Sequence, residues 1–116
     1  MGREYTRHEL LIEASAAAGN LSEVAERVDL RRFSDDEVFK YAVAYLWLRL
    51  AEPTCQLVTR KLVGDQTRVS WAGMCRLRNS LAHDRNEDIN YLPLWTNLSV
   101  KMDKTAARLD QLMQAD

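Results

Sequence analysis

Apolar residues recur every three or four positions along most of the chain, which is the period of an α-helix and not of a β-strand. One stripe in the N-terminal segment continues across Gly19 and Asn20 without a change of phase. Its members are Leu10, Ala14, Ala17, Leu21, Val24 and Val28. A glycine–asparagine pair often ends a helix, but the unbroken stripe predicts one long helix from about Arg3 to Leu30.

The second predicted helix begins at Ser34 and is apolar on more than one face. The sequence SDDE at residues 34–37 is typical of a capping box, in which a hydroxyl and a glutamate bind free amides of the first turn. We expect this helix to reach about Leu62, with a kink at Pro53 and a C-terminal cap at Gly64. Its broad apolar surface is typical of the centre of a bundle or of a self-association surface.

Two further helices complete the pattern. The third is predicted from about Gln66 to Ala82, and the fourth begins near Tyr91 with Pro93 in its first turn. Their inward faces are formed by Trp71, Met74, Leu77 and Leu81, and by Trp95, Leu98, Met102, Thr105, Leu109 and Leu112. Residues 1–116 are therefore expected to form a single all-α domain, an up-down bundle of four to five helices.

Composition narrows the class of protein. The 116 residues are 47% hydrophobic and 28% charged, as in folded domains, and the formal net charge of -1 disfavours non-specific coating of nucleic acid. The longest apolar run, AVAYLWL, is too short to span a bilayer, so we expect a cytoplasmic protein without a membrane partner. Cys55 and Cys75 have neither the spacing of a zinc site nor that of a disulfide framework, so reduced thiols are expected.

Chemically active side chains concentrate in RLRNSLAHD, residues 76–84. Asn79 and His83 are four residues apart and share a helix face, and Arg78 reaches the same region if the helix ends at His83. Such a histidine can transfer protons near neutral pH, while an arginine holds phosphate and an asparagine orients either group. These residue types suit RNA cleavage with no metal and no cofactor. A two-fold dimer would supply the second histidine that an acid and a base together require.

Basic residues surround this segment. Six lie between positions 60 and 85, and Arg68, Arg76 and Arg85 are the predicted RNA contacts among them. Asp84 is a candidate for orienting the imidazole of His83. A plainer interpretation stays open: a histidine suits the C-terminus of any helix, and the acidic residues after it are typical of a solvated loop.

Other polar and aromatic residues have structural explanations that compete with functional ones. Trp47, Trp71 and Trp95 have core-facing spacing, although tryptophans also serve as platforms for stacked bases. His8 is expected at the surface. The acidic cluster at residues 35–37 is expected to complement a helix dipole, with metal binding as the lesser alternative.

The stretch WAGMCRLRNSLAHD resembles the signature of HEPN domains, above all that of their HepT-like toxin branch. There a tryptophan and a methionine precede R-N-x-x-x-H, as Trp71 and Met74 here precede Arg78, Asn79 and His83. The segments AYLWLRLAEPTCQLVTRKL and YLPLWTNLSVKMDKTAARLDQL resemble the second and closing helices of the family. The resemblance covers nearly the whole chain, with one change in the second helix, where a proline follows the glutamate in place of an alanine.

The resemblance implies a helical bundle that pairs as a homodimer with the motifs of both copies facing one cleft. It implies a metal-independent endoribonuclease, often the toxin of a toxin–antitoxin pair. Arg78 would bind and polarise the phosphate, Asn79 would position it, and His83 would transfer protons. The implied antitoxin is a small nucleotidyltransferase.

One departure from the family pattern bears on regulation. The toxin branch commonly continues H-x-Y, with a tyrosine that the partner adenylylates, but Arg85 stands at that position here. Tyr91 is no obvious substitute, so neutralisation by direct binding, or a different partner altogether, fits better than adenylylation. A second hypothesis stays open, in which the chain is a catalytically silent HEPN module that binds RNA, a nucleotide or a partner protein as a dimeric subunit.

Overall fold

Helices form the regular structure of the chain. The structure is a computed structural model that describes residues 4–27, 29, 35–85 and 88–115, and the side chains of residues 99–101 are not described. Five helices are bounded within these ranges: α1 (Arg7–Arg27), α2 (Glu37–Thr59), α3 (Asp65–Ser70), α4 (Met74–His83) and α5 (Leu92–Gln114). No strand occurs in the described ranges. The all-α prediction is confirmed there.

The long first helix is confirmed by α1, which runs through Gly19 and Asn20 without a break. Its buried residues are Leu10, Leu11, Ala14, Ala17, Ala18 and Leu21. Gly19 and Asn20 are exposed, so the low helix propensity of the pair falls on the solvent side and leaves the packed face intact. The predicted ends at Arg3 and Leu30 lie outside the described residues, as does Val28.

A reciprocal pair of hydrogen bonds sets the start of α1. The amide of Glu9 donates to Oγ1 of Thr6 over 3.1 Å, and the amide of Thr6 donates to Oε1 of Glu9 over 3.0 Å. This is a capping box of the pattern T-x-x-E, and it places the first helical residue at Arg7. His8, in the first turn, is exposed as expected.

The second helix is shorter at its C-terminus than the sequence pattern predicts. At its start, Asp36 is the cap and its carboxylate accepts a hydrogen bond from the amide of Phe39, while the predicted cap Ser34 lies outside the described residues. At its end, the helix stops at Thr59 and Lys61 adopts a φ of 55°. The acidic cluster therefore lies at the N-terminus of α2, with Asp36 as the cap and Glu37 in the first turn, where negative charge complements the helix dipole as expected.

A Schellman motif ends α2. The amide of Lys61 donates to the carbonyl of Val58 over 3.1 Å, and that of Leu62 donates to the carbonyl of Leu57 over 2.9 Å. The prediction that Gly64 caps α2 was wrong: its φ of -67° and ψ of 167° are extended, and it precedes α3 as an N-terminal cap. A lysine therefore occupies the left-handed position that glycine usually takes.

The single helix predicted over residues 66–82 is divided into α3 and α4. Trp71 follows α3, and its side chain is 5% exposed and packs in the core. Its carbonyl accepts a hydrogen bond from the amide of Met74 over 3.0 Å. Gly73 is the N-terminal cap of α4. Burial of one large side chain at the turn explains the break. The predicted inward residues Met74, Leu77 and Leu81 are confirmed as partly buried against the core.

A disulfide between Cys55 and Cys75 joins α2 to α4, with their Cα atoms 4.7 Å apart. The expectation of two reduced thiols was therefore wrong. A separation of 20 residues gives no information about which helix faces meet, and α2 and α4 pack so that both cysteines reach the shared surface. The bond holds the helix that carries the R-N-x-x-x-H motif against the centre of the fold.

The last helix closes the core. Pro93 lies in the first turn of α5, as predicted, and α1 packs against both α2 and α5. The indole Nε1 of Trp47 donates to the carbonyl of Leu94 over 3.1 Å and so ties α2 to the start of α5. Trp47 and Trp71 are core residues and Trp95 is partly buried against them, which confirms the packing interpretation. No helix in the described ranges is long and apolar enough to cross a membrane.

Candidate active site

The motif residues lie on the last two turns of α4. The side chains of Leu77 and Leu81 face the core, so the opposite positions of this ten-residue helix face outward. Asn79 and His83 are exposed and Arg78 is half-buried at the edge of that face. The structure thus brings the three predicted catalytic residues to one end of one helix.

Arg78 and Asn79 contact each other directly. Nη1 of Arg78 donates a hydrogen bond to Oδ1 of Asn79 over 3.0 Å. Neighbouring positions on a helix do not face each other, but the long arginine side chain folds across the surface to reach the amide. This contact uses one of the five guanidinium donors, and the others can bind phosphate oxygens.

His83 is the last residue of α4 and is exposed. The helix ends there because Asp84 turns extended, with a φ of -75° and a ψ of 149°, while its amide still donates to the carbonyl of Ser80 over 2.9 Å. Ser80 Oγ also donates to Oδ2 of Asp84 over 2.7 Å. The carboxylate predicted to orient His83 is therefore held by Ser80, a residue that the motif alone does not single out.

The predicted RNA contacts fall into two groups. Arg76 is exposed on α4, and Arg85 follows that helix by two residues with its side chain 78% exposed and 3.5 Å from a carboxylate oxygen of Asp88. Arg68 instead lies on α3, where it pairs with Asp65. Arg76 and Arg85 lie close to the motif along the chain, whereas Arg68 belongs to a different helix.

An apolar groove lies beside the motif helix. It has a volume of about 380 Å³ and is lined by Tyr41, Ala44, Tyr45, Leu48, Leu81, Ile89 and Tyr91. Tyr41 and Tyr45 are 42% and 59% exposed, so α2 leaves one aromatic face uncovered. The buried side chains of α2, among them Val43, Trp47 and Leu50, show that this helix packs in the core against α1, α4 and α5, as the interpretation of its apolar surface as a bundle centre expects. Self-association through the uncovered aromatic face stays a prediction.

Tyr91 closes one side of this groove. Its ring lies 6.1 Å from that of Tyr41, and its buried hydroxyl has no hydrogen-bond partner among the described residues. Burial raises the pKa of Tyr91 above its ordinary value, and the nearby Tyr41 and Glu37 raise it further. Because its hydroxyl is buried, Tyr91 is poorly placed to replace the tyrosine that Arg85 displaces.

Comparisons with known proteins returned no relative. No family model matches the chain, and no curated protein or solved structure matches it.

In the described residues, no group of three or more histidine, cysteine, aspartate or glutamate side chains could hold a metal ion.

Proposed function

We propose that the chain is a HEPN-type endoribonuclease that cleaves RNA without a metal ion, through Arg78, Asn79 and His83. The observation that supports the proposal is the hydrogen bond between Arg78 and Asn79 on the same helix that ends at the exposed His83. An arginine fork, an amide and an imidazole at one solvent-facing place are the groups needed to hold and cleave a phosphodiester.

The proposed reaction is attack by the ribose 2′-oxygen on the adjacent phosphorus. His83 takes the 2′-hydroxyl proton, the new O–P bond closes a 2′,3′-cyclic phosphate, and the bond to the 5′-oxygen breaks. The same histidine of a second copy gives a proton to the leaving 5′-oxygen. Arg78 offsets the charge that builds on the phosphate oxygens, and Asn79 fixes the position of the group.

A homodimer follows from this need for a second histidine. The groove beside α4 supports it, because Leu81 lines the groove two residues before His83. A second copy seated on the exposed aromatic face of α2 would cover Tyr41 and Tyr45 and bring its own α4 near the first. The shared cleft would then hold both motifs.

The proposed cellular role is that of a toxin held inactive by a small nucleotidyltransferase antitoxin. Arg85 stands where the branch carries its adenylylated tyrosine, and the hydroxyl of Tyr91 is buried. We therefore propose that the partner neutralises the toxin by covering the motif, with no adenylyl group attached.

A catalytically silent HEPN module is the second candidate. It is favoured by one observation: the carboxylate of Asp84 is bound by Ser80, and no described contact fixes the imidazole of His83. In that case, the motif would bind RNA, a nucleotide or a partner protein without cleaving it.

Induced expression distinguishes the two candidates. Wild type, His83→Ala and His8→Ala are expressed in parallel, and total RNA from each culture is run on a gel. The nuclease proposal expects growth arrest and RNA fragments with wild type and with His8→Ala, and neither with His83→Ala. Identical growth and intact RNA in all three cultures would favour the silent module.

A further inference from the structure

A second concave site lies between α3 and α5. It has a volume of about 480 Å³ and is lined by Gln66, Thr67, Ser70, Trp71, Lys104, Thr105 and Arg108. None of these residues belongs to α4, so the site shares no residue with the R-N-x-x-x-H motif. Its volume is within the range of about 300–1,000 Å³ that small-molecule sites occupy.

The charge of this pocket is unbalanced. Lys104 and Arg108 are four residues apart on α5 and both line it, and no described lining residue carries a carboxylate. The other polar lining groups are hydroxyls and an amide. Two cations in a concavity, in a chain with a formal net charge of -1, create a local positive field that attracts anions.

Arg108 is held in place by neutral groups. Its Nε and Nη2 donate to Oγ1 of Thr67 over 2.9 and 2.7 Å, and its Nη1 donates to Oε1 of Gln111 over 3.2 Å. Thr67 is 2% exposed, so the core fixes the hydroxyl that orients the guanidinium. All three bonds go to neutral acceptors, and within the described part of the chain two of the five guanidinium donors of Arg108 have no acceptor.

We propose that this pocket binds the phosphate group of a nucleotide. Arg108 supplies a preoriented fork of donors, Lys104 a second positive charge one helical turn away, and Ser70 and Thr105 further hydrogen-bonding hydroxyls. The remaining volume accommodates a ribose or base beside Trp71. The phosphate has two possible sources, a free mononucleotide or the 5′-phosphorylated end of an RNA.

The pocket and the motif are tested separately because they share no residue. A His83→Ala protein should bind the ligand of the pocket as the wild type does, whether or not the wild type cleaves RNA. Loss of nuclease activity and loss of phosphate binding are therefore distinguishable outcomes.

Binding is measured by isothermal titration and by tryptophan fluorescence, for which Trp71 is the reporter within the pocket. The ligands are adenosine and uridine monophosphates, a 5′-phosphorylated dinucleotide, and adenosine as the control without phosphate. The reference protein is His83→Ala. In that background, the test variants are Lys104→Gln and Arg108→Gln. The control variant is Arg49→Gln, which alters an exposed cation on α2. The His83→Ala background also prevents cleavage of the dinucleotide.

We expect a phosphorylated ligand to bind with a Kd of about 1 mM or tighter and adenosine to bind more weakly. Lys104→Gln and Arg108→Gln should each weaken binding about tenfold, and Arg49→Gln should not. Tighter binding of a monophosphate would identify a free nucleotide as the source, and tighter binding of the dinucleotide would identify an RNA end.

Two results would overturn the proposal. One is that none of the phosphorylated ligands binds at a concentration of about 10 mM, ten times the expected Kd. The other is unchanged affinity in Lys104→Gln, whose side chain is exposed and holds no described hydrogen bond, so that its loss leaves the fold intact. A melting curve of Arg108→Gln shows whether the loss of its bonds to Thr67 has altered the fold.

Discussion

Nη1 of Arg78 lies 3.0 Å from Oδ1 of Asn79 and donates a hydrogen bond to it. The contact joins the side chains of two neighbouring positions, which diverge on a helix. The acceptor is a neutral amide oxygen, so this hydrogen bond leaves the positive charge of the guanidinium in place. In the proposed reaction, Asn79 would therefore orient Arg78 as well as the phosphate.

This geometry predicts that the fork of Arg78 matters as well as its charge. Arg78→Ala should lower the rate of RNA cleavage by about a hundredfold or more, because the transition-state charge loses its donors. Arg78→Lys should recover only part of that rate, since an ammonium cannot make paired contacts in a fixed plane. The measurement is single-turnover cleavage of a labelled RNA.

A matched control separates catalysis from folding. Because Arg78 is only half-buried, the melting temperature of the Arg78→Ala protein should differ from that of the wild type by less than about 3 °C. A large fall in melting temperature together with lost activity would assign Arg78 to the fold.

The exposed aromatic face of α2 predicts a dimer that one charge can break. Tyr45→Glu should convert the dimer to a monomer at micromolar concentration, because a carboxylate would be buried without a partner at the interface. Val69→Glu, at an exposed apolar position on α3, is the control and should remain dimeric. Light scattering gives the mass, and a wild-type monomer would contradict the shared cleft.

The disulfide predicts a redox-dependent stability. Cys55 and Cys75 enclose a loop of about 20 residues, and the chain-entropy argument gives about 3 kcal/mol of stabilisation for such a loop. The melting temperature should therefore fall when dithiothreitol is added. The double variant Cys55→Ser/Cys75→Ser should melt at that lower temperature with or without reductant. If dithiothreitol changed the melting temperatures of the wild type and the double variant equally, the disulfide would be contradicted.

The end of α2 predicts a stabilising substitution. Lys61 has a φ of 55°, which disfavours side chains with a Cβ. Lys61→Gly should raise the free energy of unfolding by about 1 kcal/mol, with the greater freedom of glycine in the unfolded chain reducing the gain. Urea denaturation measures the change, and a loss of stability would contradict the assigned cap.

Helical periodicity predicted the buried faces well because it depends on residues within one element. The stripe of α1 and the inward position of Leu77 followed from spacing alone. The place of Pro93 at the start of α5 followed from the tolerance of proline in a first helical turn. The division of the third predicted helix into α3 and α4 could not be predicted from spacing, because it depends on how far Trp71 enters a core built by other helices. Local spacing carries no information on such tertiary packing.

The candidate site was predictable only in part for the same reason. A shared helix face placed Asn79 and His83 together, and both face solvent at the end of α4. The carboxylate of Asp84 could meet either Ser80 or His83, and spacing does not decide between them. In the structure it accepts a hydrogen bond from the hydroxyl of Ser80. The pocket at Arg108 joins α3 to α5 across 41 residues of sequence, so no motif revealed it.

In the proposed function, His83 acts in RNA cleavage without a metal ion. The most direct measurement is incubation of purified wild type, His83→Ala and His8→Ala with a labelled RNA in excess EDTA, followed by analysis of the product ends. We expect fragments ending in 2′,3′-cyclic phosphate from wild type and His8→Ala, and intact RNA from His83→Ala. Equal cleavage by His83→Ala, or cleavage by wild type that EDTA abolishes, would contradict it.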